Sequence, residues 1–372
     1  MNILEICPYS LDSIGGVQVQ VLGLAKALTK LGHRVLVVGP GGQNYKAART
    51  SQDESGYLVV RTGPATEVEA NGSIAPIAVG VGSTLSTLST MRQNRFDVVH
   101  LHEPLVPGPC LTALLASKAP VVGTFHLSGP SASYKYLAPV VRKMATRLSV
   151  RCAVSPMAEN TAHSSLGGDY RVLYNAVDSE KYRTHKTSRE DTCVRIVFVG
   201  RHEKRKGLGV LIEAYRRLIS NVSIPCELVV VGTGPDTAGA RAASSDLNSV
   251  VWAGQVDEEA LIDIMASCDI FCAPSLSGES FGVVLVEAMA SGLAVVASNI
   301  EGYSHVAAGA CELFAPGDVD ALESSLTRVV QDSGLRKELS TLGRERAKEF
   351  DIVKLASHYQ EIFSTLATKG ID

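Results

Sequence analysis

The sequence predicts an α/β protein made of two doubly wound domains, each with a parallel sheet. Short apolar runs that suit buried strands alternate with amphipathic helical segments along the 372-residue chain. This alternation stops once, in the polar stretch 179–193, which has no periodicity, and then starts again. We therefore expect one domain at 1–178, a second at 179–351, and a final helix at about 352–372 that packs back on the first domain. Such sheets bind ligands beyond the carboxyl ends of their strands, so both domains are expected to face a shared cleft.

Composition and charge exclude several classes of protein. The chain is 45% hydrophobic and 20% charged, which is ordinary for a soluble globular protein, and its net charge of −3 provides no basic field for nucleic acid. The eight cysteines are scattered and form no C-x-x-C, which indicates reduced thiols and a cytoplasmic protein. A strand starts at residue 2, so no signal peptide is expected, and no apolar run reaches the ~18 residues that span a bilayer. Membrane contact is expected to be peripheral.

In the first half, a strand at 2–7 leads through a polar loop into a helix at 17–31, whose apolar residues recur at spacings of three and four. Gly32 is predicted to end that helix. Further apolar runs predict strands at 34–38, 57–61, 96–104, 120–125, 151–154 and 170–174. Periodic segments predict helices at 84–93, 111–117 and 160–166, and a turn is expected at 69–73.

The segment 134–151 is predicted to be a basic amphipathic helix. Lys143, Arg147 and Arg151 recur every four residues, opposite an apolar face. Such a helix suits a membrane surface, and the simpler interpretation is a solvated helix face.

The second half repeats the strand and helix pattern. Its strands are predicted at 194–199, 226–231, 250–253, 269–274 and 293–297. Its helices are predicted at 208–219, 258–266, 281–291, 321–330, 335–349 and 352–366.

The stretch 275–292 is the most informative part of the chain. A polar loop follows a buried strand and leads into a helix that Gly292 ends, so free N–H groups and the helix dipole together suit an anion. Glu279 lies in the loop and Glu287 lies two turns along the helix. Their carboxylates would repel a phosphate but can accept hydrogen bonds from sugar hydroxyls. A site for a sugar next to a site for a phosphate indicates that the ligand is a nucleotide sugar.

A cluster of cations follows the strand at 194–199. Arg201, Lys204, Arg205 and Lys206 leave the same edge of the predicted sheet as Glu279, where they can neutralise a departing diphosphate. A solvated basic turn is the alternative. Neither this loop nor the loop of Glu279 contains D-x-D, which disfavours a carboxylate-held divalent cation there, and the chain has no G-x-x-x-x-G-K-[ST], which disfavours an NTPase.

Glycines and histidines mark the edge of the first predicted sheet. Gly15 and Gly16 precede a helix and permit a close backbone approach to a ligand, although they do not form G-x-G-x-x-G, and a plain tight turn is the alternative. His100 and His102 face the same way on one strand. No third ligand is apparent from the sequence, so no metal site is expected there.

These motifs together resemble a known family. Gly15-Gly16-Val17-Gln18, His102-Glu103-Pro104, Gly200-Arg201 with Arg205-Lys206-Gly207, and Glu279-Ser280-Phe281-Gly282 with Glu287 are similar to the retaining GT-B glycosyltransferases of family 4, over the whole chain. Cys7-Pro8-Tyr9-Ser10, Asn71-Gly72-Ser73 and Thr124-Phe125-His126 extend the resemblance to the actinobacterial phosphatidylinositol α-mannosyltransferases. The resemblance implies two Rossmann-like domains and transfer of mannose from GDP-mannose to the inositol ring at the cytoplasmic face of the membrane.

The resemblance also implies roles for individual residues. Those implied to be catalytic are His102, next to the transferred sugar, with Arg201, Lys206 and Glu279. Those implied to bind the donor are Gly16, Arg201, Arg205, Lys206, Val256, Glu279, Ser280, Phe281, Gly282, Val283 and Glu287. Those implied to bind the inositol phosphate are Tyr9, Gln18, Asn71, Gly72 and Ser73. No tightly bound cofactor, nucleic acid or obligate protein partner is implied, and a loosely associated Mg²⁺ is compatible with the pattern.

Two positions depart from the family pattern. Pro76 stands where the family has a basic residue, and 77–90 contains neither Lys nor Arg, whereas the equivalent segment of the family is a basic membrane-binding helix.

The expected mechanism is front-face substitution with retention, because no carboxylate stands out as a covalent nucleophile. The departing phosphate would take the proton of the acceptor hydroxyl, and Arg201 and Lys206 would stabilise the developing charge. Two alternatives stay open: a related transferase that uses a UDP-sugar and a soluble acceptor such as inositol phosphate, and a sugar-nucleotide binding protein without turnover.

Overall fold

A computed structural model describes residues 1–13, 15–42, 50–70, 73–129, 138–183 and 192–369. The chain divides into two compact units. Unit 1 contains Met1–Ala176 and Ile352–Asp372, and unit 2 contains Val177–Asp351. The division lies two residues before the predicted boundary at 178.

Unit 1 is built on an eight-stranded sheet, with strand order β10-β9-β8-β7-β1-β2-β4-β3. All neighbours in it are parallel except β3 and β4. The strands are β1 Asn2–Ile6, β2 Arg34–Gly41, β3 Thr50–Gln52, β4 Leu58–Pro64, β7 Val98–His102, β8 Val121–Phe125, β9 Val150–Ala153 and β10 Arg171–Val172. A separate antiparallel pair, β5 Thr66–Ala70 and β6 Ser73–Ile77, lies where the sequence predicted only a turn.

Helices cover both faces of this sheet. The helices of unit 1 are α1 Gly16–Lys30, α2 Val81–Gln93, α3 Pro109–Ala116, α4 Ala138–Ala145, α5 Pro156–Leu166 and α14 Ile352–Lys369. Alternate residues of the central strands point to opposite faces, so Ile3 and Val98 pack in one core with α1 and α14, and Leu4 and Val99 pack in the other. The last helix therefore supplies part of the core of unit 1.

Unit 2 is built on a six-stranded parallel sheet, with strand order β13-β12-β11-β14-β15-β16. The strands are β11 Val194–Val199, β12 Cys226–Val231, β13 Val250–Gly254, β14 Ile270–Ala273, β15 Ala294–Ser298 and β16 Glu312–Phe314. The helices are α6 Ser179–Arg183, α7 Leu208–Asn221, α8 Thr237–Ala243, α9 Glu258–Ala266, α10 Val283–Ser291, α11 Glu301–Ala307, α12 Val319–Gln331 and α13 Ser333–Ala347. The predicted α/β architecture with parallel sheets is confirmed.

The predicted basic helix at 134–151 is wrong in its second half. Helix α4 ends at Ala145, and the strand β9 starts at Val150. The side chain of Arg147 donates to the carbonyl oxygens of Leu114 and Leu115, and that of Arg151 donates to Ala145 and Gly167. These two cations are therefore held by backbone carbonyls and do not form a basic stripe. The part of the prediction at 134–137 lies outside the described residues.

The predicted linker at 179–193 starts with a helix that the sequence did not predict. Its first five residues form helix α6, and residues 184–191 lie outside the described part of the chain. Within the described ranges, no helix combines the length and the apolar character needed to cross a bilayer.

Candidate functional site

In unit 2, two loops that carry predicted site residues leave the same edge of the sheet. Strands β11 and β14 are parallel neighbours, with Ile196 opposite Ile270 and Val197 opposite Phe271. Their carboxyl ends therefore lie side by side, and the loop of cations starts next to the loop that contains Glu279. The backbone N–H of Leu276 donates to the carbonyl of Arg205 at 2.7 Å and ties the two loops together.

Glu279 is the centre of this cluster. Its Oε1 accepts from Lys206 Nζ at 2.6 Å and from Arg205 Nη1 at 2.9 Å, and its side chain is 13% exposed. The carboxylate is thus held in one position by two cations that were predicted to bind a diphosphate.

Glu203 is a site residue that the sequence reasoning missed. Its Oε1 lies 3.1 Å from Arg201 Nε, and its Oε2 lies 2.8 Å from Arg205 Nε, so one carboxylate holds both guanidinium groups. Arg201, Arg205 and Lys206 outnumber the two carboxylates, which leaves one net positive charge for an anion. Its place between two cations of one short loop was the only sequence signal for Glu203.

The loop of cations ends at a glycine that no other residue can replace without strain. Gly207 has φ +71°, and a Cβ at this position would lie 1.9 Å from the carbonyl oxygen of Pro274. The close approach of these two backbones brings the start of helix α7 against the end of strand β14. The loop geometry therefore depends on Gly207.

Helix α10 presents its start at the same edge. Among the described residues, no side chain caps its N-terminus, where Gly282 is in the left-handed conformation with φ +86°. The first N–H groups of the helix are therefore suited to an anion. The ring of Phe281 is buried against Phe350, so only its backbone can contact a ligand, while Ser280 and Val283 are partly buried.

Glu287, on the second turn of α10, contacts a residue that the sequence reasoning did not select. That residue is Tyr182 on α6, whose hydroxyl is close enough to influence the pKa of the Glu287 carboxyl. Burial raises the pKa of the Glu287 carboxyl to about 7 and nearby Glu258 adds to the rise, while Tyr182 and Lys181 oppose it. The predicted ribose acceptor therefore titrates near neutral pH. The predicted base contact, Val256, is partly buried in the turn after strand β13.

In unit 1, two of the predicted acceptor residues, Tyr9 and Gln18, lie in the loop before helix α1 and in its first turn. Gly16 is its first residue, and Gln18 is buried and donates from Nε2 to the carbonyl of Ser10 at 3.2 Å. Tyr9 forms an isolated bridge with Ile77, and burial raises the pKa of its hydroxyl. The loop after β1 is thus attached to the hairpin β5–β6. Asn71 and Gly72 lie outside the described residues, and only the backbone of Ser73 is described.

His102 lies at the carboxyl end of β7 within a buried polar cluster. Its ring is 1% exposed, with Nε2 3.1 Å from Glu5 Oε2 and Nδ1 3.0 Å from His126 Nε2. Burial, with a contribution from His100, lowers the pKa of His102 to about 4. Glu5 was missed because it is close to these histidines only through strand pairing, which the sequence does not display.

Glu103, which follows His102, has a structural task. Its backbone has φ +50°, which is uncommon outside glycine. Its Oε1 accepts from the N–H groups of His126 and Leu127, both at 2.6 Å. The carboxylate therefore fixes the start of the loop after β8, beside His102.

Comparisons with known proteins find relatives for both halves of the chain. The family model described as Glycosyltransferase Family 4 matches residues 14–181, and the model described as Glycosyl transferases group 1 matches residues 179–346. The phosphatidyl-myo-inositol mannosyltransferase of Mycolicibacterium smegmatis is 33% identical over 379 residues, covering 100% of this chain and 95% of the relative. The protein of the same name from Propionibacterium freudenreichii is 36% identical over 314 residues, covering 82% and 79%.

Solved structures share the fold. A sucrose-phosphate synthase from Thermosynechococcus elongatus superposes with a TM-score of 0.78 at 18% identity, covering 99% of both chains. The Anabaena protein HepE, in complex with UDP and glucose, superposes with a TM-score of 0.74 at 19% identity, covering 98% of this chain and 100% of the other. At these identities the likeness concerns the fold alone.

Proposed function

The chain belongs to the family 4 glycosyltransferases, which have the GT-B fold, and we propose that it transfers mannose from GDP-mannose to the inositol ring of phosphatidyl-myo-inositol with retention. The choice of sugar and acceptor rests on relatives of that name that match along the whole chain. The observation that carries the catalytic part is Glu279, held by Arg205 and Lys206 beside the start of helix α10.

The three cations stabilise the leaving group in this proposal. Arg201, Arg205 and Lys206 with the start of α10 and the backbone at Gly16 receive the diphosphate, so positive charge is in place as the bond to the sugar breaks. The departing phosphate accepts the proton of the acceptor hydroxyl on the same face, which gives retention. We propose that no tightly bound metal takes part in this step and that Mg²⁺ is at most loosely associated with the donor.

Other residues orient the donor. Glu279 and the backbone at Phe281 and Gly282 hold the mannose, Glu287 accepts from the ribose hydroxyls, and the backbone at Val256 contacts the base. Because both ring nitrogens of His102 have partners, we propose that His102 supports the reaction centre by holding His126 in place. Tyr9, Gln18 and the turn at 71–73 are the proposed acceptor contacts.

The proposed place of action is the cytoplasmic face of the membrane, where the acceptor lipid is available to a peripheral protein. A direct test incubates the protein with radiolabelled GDP-mannose and phosphatidylinositol vesicles and counts lipid-soluble mannose. The proposal predicts labelled lipid that runs as a single mannoside. Release of GDP without labelled lipid would contradict the acceptor.

One observation favours a second candidate, a UDP-sugar transferase with a soluble acceptor. The segment 77–90 lacks the cations of the family's membrane-binding helix. The two candidates are separated by offering UDP-N-acetylglucosamine with inositol phosphate in parallel. Turnover of this pair without turnover of GDP-mannose would replace the first proposal.

A further inference from the structure

A buried polar cluster lies in the middle of the unit 1 sheet. Strands β1 and β7 are parallel neighbours in a register that puts Glu5 opposite His100, and His102 is two residues further along β7. All three side chains therefore point to the face covered by α1 and α14. Glu5 and His100 are 0% exposed and His102 is 1% exposed.

The ligand atoms of these three residues converge. Glu5 Oε2 lies 2.8 Å from His100 Nδ1 and 3.1 Å from His102 Nε2, and one ligand atom from each residue lies within 4.8 Å of the other two. The contact with His100 does not have hydrogen-bond geometry, so His100 Nδ1 has no hydrogen-bond partner among the described residues. Glu5 Oε1 is likewise buried and without a partner in the described part of the chain. Two unsatisfied atoms in one buried cluster call for a further group between them.

The other nitrogen of each imidazole is already held. His100 Nε2 lies 2.7 Å from Thr124 Oγ1, and His102 Nδ1 lies 3.0 Å from His126 Nε2. Thr124 Oγ1 in turn lies 2.8 Å from the hydroxyl of Tyr359. Metal-binding histidines are oriented in this way, with one ring nitrogen on the metal and the other on a hydrogen-bond partner.

The surroundings of Glu5 also favour a cation. Among the described residues, the ion-pair partners of its carboxylate are these two histidines alone. A carboxylate buried inside a protein is costly unless positive charge lies beside it, and a metal ion held by the same three side chains would supply that charge.

We propose that Glu5, His100 and His102 bind one divalent transition-metal ion of the zinc class. Two imidazoles and one carboxylate suit Zn²⁺, Co²⁺ or Fe²⁺ better than Mg²⁺ or Ca²⁺. Glu5 Oε1 is available as a fourth donor atom. The ion joins the two central strands and has no part in glycosyl transfer, so the inference stands or falls apart from the proposed function. It departs from the sequence-based expectation of no metal, because the third ligand comes from another strand.

The test measures metal content directly. The protein, freed of any affinity tag, is incubated with Zn²⁺, passed through a desalting column and analysed by mass spectrometry for metal. The wild type should retain about one equivalent, and Glu5→Gln, which preserves shape but removes the charge, should retain about tenfold less or lower. His163→Asn is the matched control, because His163 is exposed and outside the cluster, and it should retain as much metal as the wild type.

A second measurement does not depend on the folding of a variant. Co²⁺ bound to two imidazoles and a carboxylate gives visible absorption bands, so a titration of the wild type should produce them and raise the melting temperature. No bands, no thermal shift and less than about a tenth of an equivalent of Zn²⁺ would overturn the proposal in favour of a proton held between Glu5 and His100. Full retention of metal by Glu5→Gln would also overturn it.

Discussion

Three glutamates of this protein, each predicted or found at a site, differ in charge because their surroundings differ. Glu5 is fully buried with two histidines that lower its pKa to about 2, whereas Glu287 is half-buried near Glu258 and its pKa rises to about 7. Glu279 is held between Arg205 and Lys206. The same residue type can therefore serve as a fixed anion, a titrating acceptor or the centre of an ion-pair cluster.

Arg201 and Lys204 offer a matched comparison within one loop. Arg201→Ala should lower turnover by about 10²-fold or more, because in the proposed reaction it removes charge that stabilises the leaving phosphate. Lys204 is exposed and takes no part in the ion pairs that Glu203 and Glu279 form with the other cations of the loop. Lys204→Ala should therefore leave turnover nearly unchanged. Initial rates at saturating donor measure both. Near-normal turnover of Arg201→Ala would refute its role.

The titration of Glu287 should appear in the binding of the donor. The ionised carboxylate is the stronger acceptor for ribose hydroxyls, so the KM for the donor should fall as pH rises through about 7. Tyr182→Phe removes the hydroxyl that lowers this pKa, so the change in KM should move to higher pH. Glu287→Gln should lose the pH step, and a step that persists in this variant would assign it to another group.

The same titration has a defined effect on stability. The pKa of Glu287 in the folded protein, about 7, lies above its ordinary value of 4.5, so the folded state binds more protons than the unfolded state between these two pH values. The contribution of Glu287 to stability is therefore greatest at low pH and falls as pH rises from about 4.5 to about 7. Urea unfolding at several pH values should show this loss in the wild type and not in Glu287→Gln.

At the scale of elements, helix α10 follows from its sequence. Most of its apolar residues are buried, and Gly282 and Gly292, both with positive φ, lie at its two ends. The strand before α10 and the loop that carries Arg201, Arg205 and Lys206 were also predictable, because apolar runs and glycines determine the local conformation of the chain. This explains why the edge of unit 2 could be anticipated from the sequence alone.

Two glycines at the start of helix α7 make this dependence on local conformation testable. Gly207 has φ +71°, and the Cβ added by Gly207→Ala would collide with the carbonyl oxygen of Pro274. This substitution should destabilise the protein by about 1–3 kcal/mol or more. At Gly209, two residues on, a Cβ would meet no described atom within 4 Å. Gly209→Ala should therefore stabilise it by about 0.5–1 kcal/mol. Chemical denaturation measures both, and equal effects would contradict the strained turn.

Other elements could not be predicted, for physical reasons. Arg147 and Arg151 keep helical spacing, but their side chains bind backbone carbonyls of neighbouring segments, and the chain from Val150 is drawn into the sheet. Helices α8 and α11 have seven residues each and carry too little periodicity. Contacts of Glu5 with His100 and of Tyr182 with Glu287 join residues about 95 and 105 positions apart, which no local pattern reveals.

At the scale of the whole molecule, the predicted donor residues other than Gly16 lie in unit 2, and the predicted acceptor residues lie in unit 1. Each unit is complete in its own sheet and core. The prediction therefore assigns the donor mainly to unit 2 and the acceptor to unit 1.

The surface near the hairpin β5–β6 suggests how the protein would reach a lipid. Val79, Val81 and Leu85 are 59%, 76% and 61% exposed, and 77–90 carries no cation. If this segment contacts the acceptor membrane, replacing Val81 and Leu85 by Asp should reduce vesicle binding about tenfold or more, with little dependence on salt. Co-sedimentation with phosphatidylinositol vesicles measures it. The exposed Leu342→Asp on α13 is the control, and equal losses would point away from this segment.

Helix α14 has a consequence for how the protein is made. Tyr359 and Phe363 complete the core of unit 1 and pack against His100, yet the ribosome synthesises all of unit 2 before this helix. Unit 2 can fold as it leaves the ribosome, whereas unit 1 cannot complete its hydrophobic core until helix α14 has been synthesised. The N-terminal part of the nascent chain is thus the last to complete its fold. Its apolar core residues stay exposed during this interval, which is when binding by chaperones matters most.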